Sequence, residues 1–237
     1  MPIRQLGFEE IGRLFKALET RVPNARDLQW QRMRLFVHIA ATMGLRFGEI
    51  LGLTVECLDL DSATLHVRHS MTSMDELKAP KTKAGIRDLT ILAHVVTMLK
   101  EWLGFFYVDN ERGLLFKPPK LGEGRRSTNL TVFGFYAAWK RLLKHVGLDA
   151  DEKDGGYHFH ALRHFHSSYL IHKGVPVTDI AEMMGHRFFD VTLQVYAHPI
   201  TSRRERRDQM QRLADDLLSM REIAGPVHKA LPCDISA

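Results

Sequence analysis

Residues 157–198 read YHFHALRHFHSSYLIHKGVPVTDIAEMMGHRFFDVTLQVYAH, and the rest of the chain is organised around them. His160-Ala-Leu-Arg163-His164 opens a predicted helix that runs to Lys173-Gly174, where the glycine acts as a cap. A short helix over 178–184 leads to Gly185-His186, and Tyr196 and His198 follow ten and twelve residues after that histidine. Asp190 is placed to cap a final short helix bearing Tyr196. A tyrosine, two histidines and an arginine suffice for phosphoryl chemistry. The phenol oxygen attacks, the guanidinium neutralises phosphate charge, and the imidazoles move protons or donate hydrogen bonds.

Three motifs stand in order: His160-Ala-Leu-Arg163, Met184-Gly185-His186 and Tyr196-Ala-His198. Together they resemble the C-terminal half of the tyrosine recombinase (phage integrase) family, which carries H-x-L-R, then L-G-H, then Y-x-H. Met184 in place of leucine is a volume-conserving swap. The order and compatible spacing make the resemblance specific, and it implies two more pieces upstream: an arginine after a helix and a lysine in a β-hairpin.

Both have candidates. A helix over 27–43, with Trp30, Met33, Phe36, Val37 and Ala40 as its apolar stripe, stops at Gly44. Gly44-Leu45-Arg46 then leads to Glu49, Ile50 and Leu53. At i, i+3 on a short helix, Arg46 and Glu49 can meet. By themselves they read equally well as a surface ion pair worth little. The resemblance makes Arg46 the first catalytic arginine and Glu49 its buttress. Residues 63–92 alternate apolar and polar as a small antiparallel sheet, with strands over 64–68, 76–79 and 86–91. Lys81, Lys83 and Gly85 mark the turn between the last two. Basic turns are often only solvated. The family's lysine, in a K-T-K-x-x-x-R pattern, falls on Lys83 when counted back from Arg87, with Lys81 in reserve.

The bulk composition is that of an ordinary globular protein. The chain has 237 residues, 45% hydrophobic and 26% charged, enough for one well-cored domain or two small ones. A net charge of +5 favours a polyanionic partner weakly. The two cysteines, Cys57 and Cys233, lie far apart, which argues against a disulfide framework and fits a reducing cytosol. The first residues lack the apolar core of a signal peptide, and no apolar run approaches the roughly 20 residues of a membrane span.

Further helices are expected over 7–21, 94–105 and 130–146. The last bears an aromatic stripe, Phe133, Tyr136 and Trp139, that reads as core. Residues 117–127 form a basic, Pro/Gly-rich loop, and a helix with a narrow apolar stripe opens after Ser202. His158, His160, His164 and His166 cluster like zinc ligands, His160 and His164 at i, i+4. No glutamate sits between them, no cysteine is near, and Arg163 beside a cation is unfavourable, so the residues weigh against a metal. His164 reads instead as a structural hydrogen-bonding residue, and His166 carries no role.

The resemblance therefore implies an α+β fold: a mostly helical catalytic domain over 1–222 with a small three-stranded antiparallel sheet, and a loosely ordered tail over 223–237. It implies a catalytic set of Arg46, Lys83, His160, Arg163, His186 and Tyr196, with Tyr196 as nucleophile, Glu49 behind it and no cofactor. It implies double-stranded DNA as partner, a tetramer on paired recombination sites in which residues 202–222 dock on a neighbouring protomer, and no membrane. The helical core-binding domain that most members place ahead of the catalytic domain has no counterpart here. The chain is expected to be either a piece of a longer protein or a single-domain recombinase of the inversion type. A topoisomerase of type IB shares the chemistry without synapsis, and a silent DNA-binding domain shares the charge. Six filled positions argue against the latter.

Overall fold

The computed structural model describes residues 6–20, 28–72, 76–80, 82–116, 132–148, 156–186, 207 and 211. Contacts divide the chain into two compact units, Met1–Val195 and Tyr196–Ala237, and every helix and strand named below belongs to the first. Lys81, the 117–127 loop, Asp190, Tyr196, His198, the tail and nearly all of the 202–222 segment lie outside the described residues.

Helix α1 (Phe8–Thr20) buries Ile11, Leu14 and Leu18 on one face. Helix α2 (Leu28–Met43) is buried almost all round from Arg32 to Ala41, more than its expected stripe. The reason is its central position: α2 packs along α6 (His160–His172) and also against α3 (Phe47–Leu51) and α4 (Ala93–Phe105). Helix α5 (Val132–His145) adds Phe135 and Trp139 to an aromatic core with Phe36, Phe116 and Phe159. The polar ends of the tryptophans are satisfied: Trp139 Nε1 donates to Tyr157 O at 2.8 Å and Trp102 Nε1 to Leu115 O at 2.8 Å.

The sheet differs in detail from the expected one. The three-stranded sheet is β1 (Leu58–Asp59), β2 (Thr64–Val67) and β5 (Arg87–Thr90), all antiparallel. The segment expected as its middle strand, β4 (Leu77–Lys78), pairs instead with β3 (Ser70–Met71) in a separate two-stranded sheet. Two features explain the exchange. Strand β1 is two residues long, too short to show alternation, and is turned back on β2 by Asp59, whose Oδ1 accepts from the backbones of Asp61 and Ser62. Pro80, which lacks an N–H, follows β4 and stops it from pairing onward to β5. The part of the connection that carries Lys83 is a 3₁₀ turn, Lys83–Gly85, leading into β5. Gly85 is buried there against Pro80: a Cβ on it would lie 2.5 Å from the proline Cβ.

Strands β2 and β5 alternate cleanly. Leu65, Val67, Arg87 and Leu89 face inward, while Asp88 and Thr90 face out. Helix α7 (Val177–Met184) packs against α6 and against β5. No helix among the described residues is long and apolar enough to cross a membrane.

Candidate active site

Two helix ends make the site. Helix α2 stops at Gly44 (φ +69°) and α7 at Gly185 (φ +62°), both left-handed. These are positions where glycine escapes the Cβ–carbonyl crowding that other residues meet. Each is also a place of close approach. A Cβ on Gly44 would meet the His166 ring at 2.6 Å, and one on Gly185 would meet Ala84 O and Arg87 Nη1, both at 2.9 Å. At the end of α7, Gly185 N donates to Glu182 O and His186 N to Ala181 O, the paired bonds of a Schellman cap. The last carbonyls of the helix remain, and arginines take them. Arg87 Nε donates to Met183 O at 2.7 Å, Arg163 Nη2 donates to Met184 O, and Arg46 Nη2 reaches Gly185 O at 3.5 Å. Arg163 Nη1 also donates to Gly44 O at the end of α2. Cations at helix C-termini are favoured by the backbone dipoles as well as by these bonds.

At the centre lies Glu49, 3% exposed. Its carboxylate accepts from Arg46 Nη1 at 2.8 Å and from the Arg46 backbone N–H at 2.8 Å, the latter tying down the first turn of α3. It also accepts from Arg87 through both Nη groups, at 3.1 and 3.0 Å, and lies 3.8 Å from Arg163 Nη1. Burial opposes ionisation of Glu49. The Arg87 hydrogen bonds and the charges of Arg87, Arg46 and Arg163 outweigh it and hold the carboxyl down at about 2. Three guanidiniums around one carboxylate give the cluster a net charge of two positive units.

The histidines border this cluster. Arg163 Nη2 lies 3.0 Å from His186 Nε2. A guanidinium only donates, so Nε2 is the acceptor and the neutral His186 ring carries its proton on Nδ1. Burial, followed by Arg163, Arg46 and Arg87, pushes His186 down to about 4. His160 stacks edge-on with His164, ring centroids 4.6 Å apart. Burial, then His164, Arg163 and Arg46, push His160 to about 4. Its ring also reaches solvent, which weakens the effect of burial, and the neighbouring positive charge sets the direction.

The structure thus brings Arg46, Glu49, His160, Arg163 and His186 into one neighbourhood. Arg46 keeps 38% of its side-chain surface open, whereas Arg163 is 2% exposed and lies behind it. Lys83 is exposed on the 3₁₀ turn, whose Ala84 carbonyl abuts Gly185. Tyr196 is outside the described residues. Among those described, no group of His, Cys, Asp and Glu is arranged to hold a metal.

Two residues go beyond what the sequence suggests. Arg87, by sequence only a counting mark for Lys83, is a central member of the cluster. A signal is present: it shares strand parity with Leu89 and Ile91, which puts a charge on the inward face where it must find a partner. His166, without a role by sequence, is 6% exposed and fills the space beside Gly44, and its Nε2 has no hydrogen-bond partner among the described residues. Its face on α6 is legible; the close approach of Gly44 is not.

The sequence profile of the phage integrase family matches residues 4–203. The chain is 29% identical over 196 residues to a tyrosine recombinase XerC-like protein of Caldanaerobacter subterraneus subsp. tengcongensis, covering 73% of this chain and 47% of that one. It is 28% identical over 214 residues to the ICEBs1 integrase of Bacillus subtilis, covering 86% and 53%. The chain spans about half the length of the curated relatives it matches. Among solved structures, the Tn1549 transposon integrase in complex with transposon right end DNA superposes with a TM-score of 0.68 at 23% identity, covering 90% of this chain and 67% of that one. The catalytic domain of bacteriophage HP1 integrase gives 0.52 at 19%, covering 86% and 92%. At these identities the structural likeness speaks for the fold.

Proposed function

The chain belongs to the phage integrase family, and on that premise we propose that it cuts and rejoins double-stranded DNA at specific sites through a covalent phosphotyrosine. The observation that carries this reading is the cluster at the ends of α2 and α7: a doubly positive pocket with one guanidinium open to solvent and two neutral histidines beside it. A scissile phosphodiester passing through a pentacoordinate state needs that charge.

The steps balance without a cofactor. Tyr196 Oη attacks phosphorus and its proton passes to His160, a ring held neutral and open to solvent on one side. The bond from phosphorus to the 5′-oxygen breaks, and Lys83 protonates the departing oxygen. The DNA is left with a 3′-phosphotyrosine and a free 5′-hydroxyl. Arg46 meets the non-bridging oxygens directly, Arg163 adds charge from behind, and His186 donates a hydrogen bond. Because the ester energy is conserved, a second 5′-hydroxyl reverses the step; when it belongs to another strand, the outcome is recombination. Relatives named as integrases, recombinases and transposases support this over simple relaxation of supercoils. A tetramer on paired sites is the assembly that strand exchange between two duplexes requires.

The test is a random-sequence pool of nicked duplexes incubated with the full chain in EDTA. A protein–DNA adduct that survives denaturation is expected, and Tyr196→Phe is expected to form none while retaining salt-sensitive DNA binding. An adduct in Tyr196→Phe, or none with the unaltered chain, overturns the reading.

A further inference from the structure

We infer that Arg87 is a positioning residue for proton delivery: it holds the turn that carries Lys83 against the phosphate pocket, and without it the lysine no longer protonates the departing oxygen efficiently. The inference rests on the general-acid role proposed for Lys83.

Arg87 is 8% exposed and spends its donors on three separate segments. Both Nη groups hold Glu49 on α3, at 3.1 and 3.0 Å. Nε holds Met183 O, just before Gly185-His186, at 2.7 Å. Nη1 also holds Gly85 O at 3.2 Å, at the end of the Lys83 turn. The turn is braced from its other sides as well. Gly85 lies on Pro80, and Ala84 O lies against Gly185. That last contact exists only because Gly185 has no Cβ; it seats the turn on the residue whose neighbour is His186.

Neutralising Glu49 would not by itself require this arrangement. Arg46 already bonds that carboxylate and Arg163 lies 3.8 Å away. A lysine at position 87 could supply charge at one point, but not a planar fork bonded to a carboxylate and two carbonyls of different segments. The geometry therefore assigns Arg87 the task of fixing where the lysine turn sits relative to the arginines. A displacement of about 1 Å of a catalytic group can cost roughly 100-fold in rate.

The experiment compares two duplexes of one sequence, recovered from the pool by adduct formation. One has the ordinary 5′-bridging oxygen and the other has sulfur there, whose thiolate departs without protonation. Lys83→Ala sets the reference: slow on oxygen, largely restored on sulfur. Arg87→Lys is expected to cleave the oxygen duplex roughly 10- to 100-fold more slowly and to recover to within about threefold of the unaltered protein on sulfur, both measured at a temperature where its unfolding curve shows it fully folded. If Arg87→Lys is equally slow on both, or unaffected on both, the inference falls while the role of Lys83 stands. If sulfur fails to rescue Lys83→Ala, the general-acid assignment falls and takes the inference with it. Should Arg87→Lys not fold, Arg87→Gln keeps Glu49 paired with Arg46 and leaves Arg163 beside it. The same selective rescue is expected of it, and a uniform loss overturns the inference.

Discussion

Arg87 and Asp88 are neighbours in β5 and belong to two ion-pair clusters built of similar parts. Inside, Arg87 joins Glu49, Arg46 and Arg163, with Glu49 at 3% exposure. Outside, on the opposite face of the strand, Asp88 accepts from Arg68 at 2.5 Å and from His66 at 2.9 Å. The lengths do not separate the two clusters, since the outer bonds are as short as the inner ones. Water does. The outer groups trade one solvated state for another, and salt and side-chain entropy cancel most of the gain. The inner carboxylate has nowhere else to put its charge, so its partners become fixed points of the fold. A buried pair is weak evidence of net stability but strong evidence that losing one partner will be costly.

The comparison breaks most visibly at Glu49. Glu49→Gln leaves three guanidiniums around a neutral amide, and urea unfolding is expected to show a loss of about 3–5 kcal/mol. A loss near zero would mean that the inner cluster behaves like the outer one. A smaller effect comes from pH. The folded pKa of His166, about 4, lies below its ordinary 6.5 because burial favours the neutral ring, against the pull of its bond to the Ala41 backbone. The unfolded chain therefore takes up the proton first, so the stability is complete above pH 6.5 and is lost as pH falls toward 4. The expected loss from this group is on the order of 3 kcal/mol, and His166→Gln should make that limb shallower in a pH series of unfolding curves without abolishing it, because His38, His160 and His186 are held down near 4 as well. The limb from Glu49 is separate: depressed from 4.5 to about 2, its contribution holds above pH 4.5 and is lost as pH falls toward 2. Smallest of all, Asp88→Ala should leave the unfolding midpoint and the rate of adduct formation unchanged within the scatter of the measurement. A measurable drop would mean that short distance counts on this face after all.

The contrast also explains what could be read from the sequence. The helices among the described residues were legible because amphipathic spacing repeats over several turns, and their bounds agree with the structure within a few residues; the two expected beyond residue 186 lie outside the described residues. The site motifs were legible because they are local: Arg46 and Glu49 meet within one helical turn, and Gly185 precedes His186 directly. The pairing of strands was not, because β1 and β4 are two residues long and leave no pattern. Nor was the reach of Glu49. Its bond to Arg87 joins residues 38 apart, and Arg87 to Met183 joins residues 96 apart, separations across which no periodicity runs. What pointed to Arg87 was a mismatch, a charge on the inward parity of an otherwise apolar strand.

The bond from Arg46 to Gly185 spans 139 positions, and that from Arg163 to Gly44 spans 119. At the usual pace of synthesis, roughly seven to thirty seconds separate the appearance of Arg46 from that of Gly185. Through that interval Arg46 has Glu49 beside it but not the carbonyls of α7, and for most of it Arg163 is still to come. Closing so long a loop is a late event in folding. A chain that stops before Met183 therefore has most of its helices and its sheet but lacks the helix-end carbonyls on which Arg46, Arg87 and Arg163 are anchored.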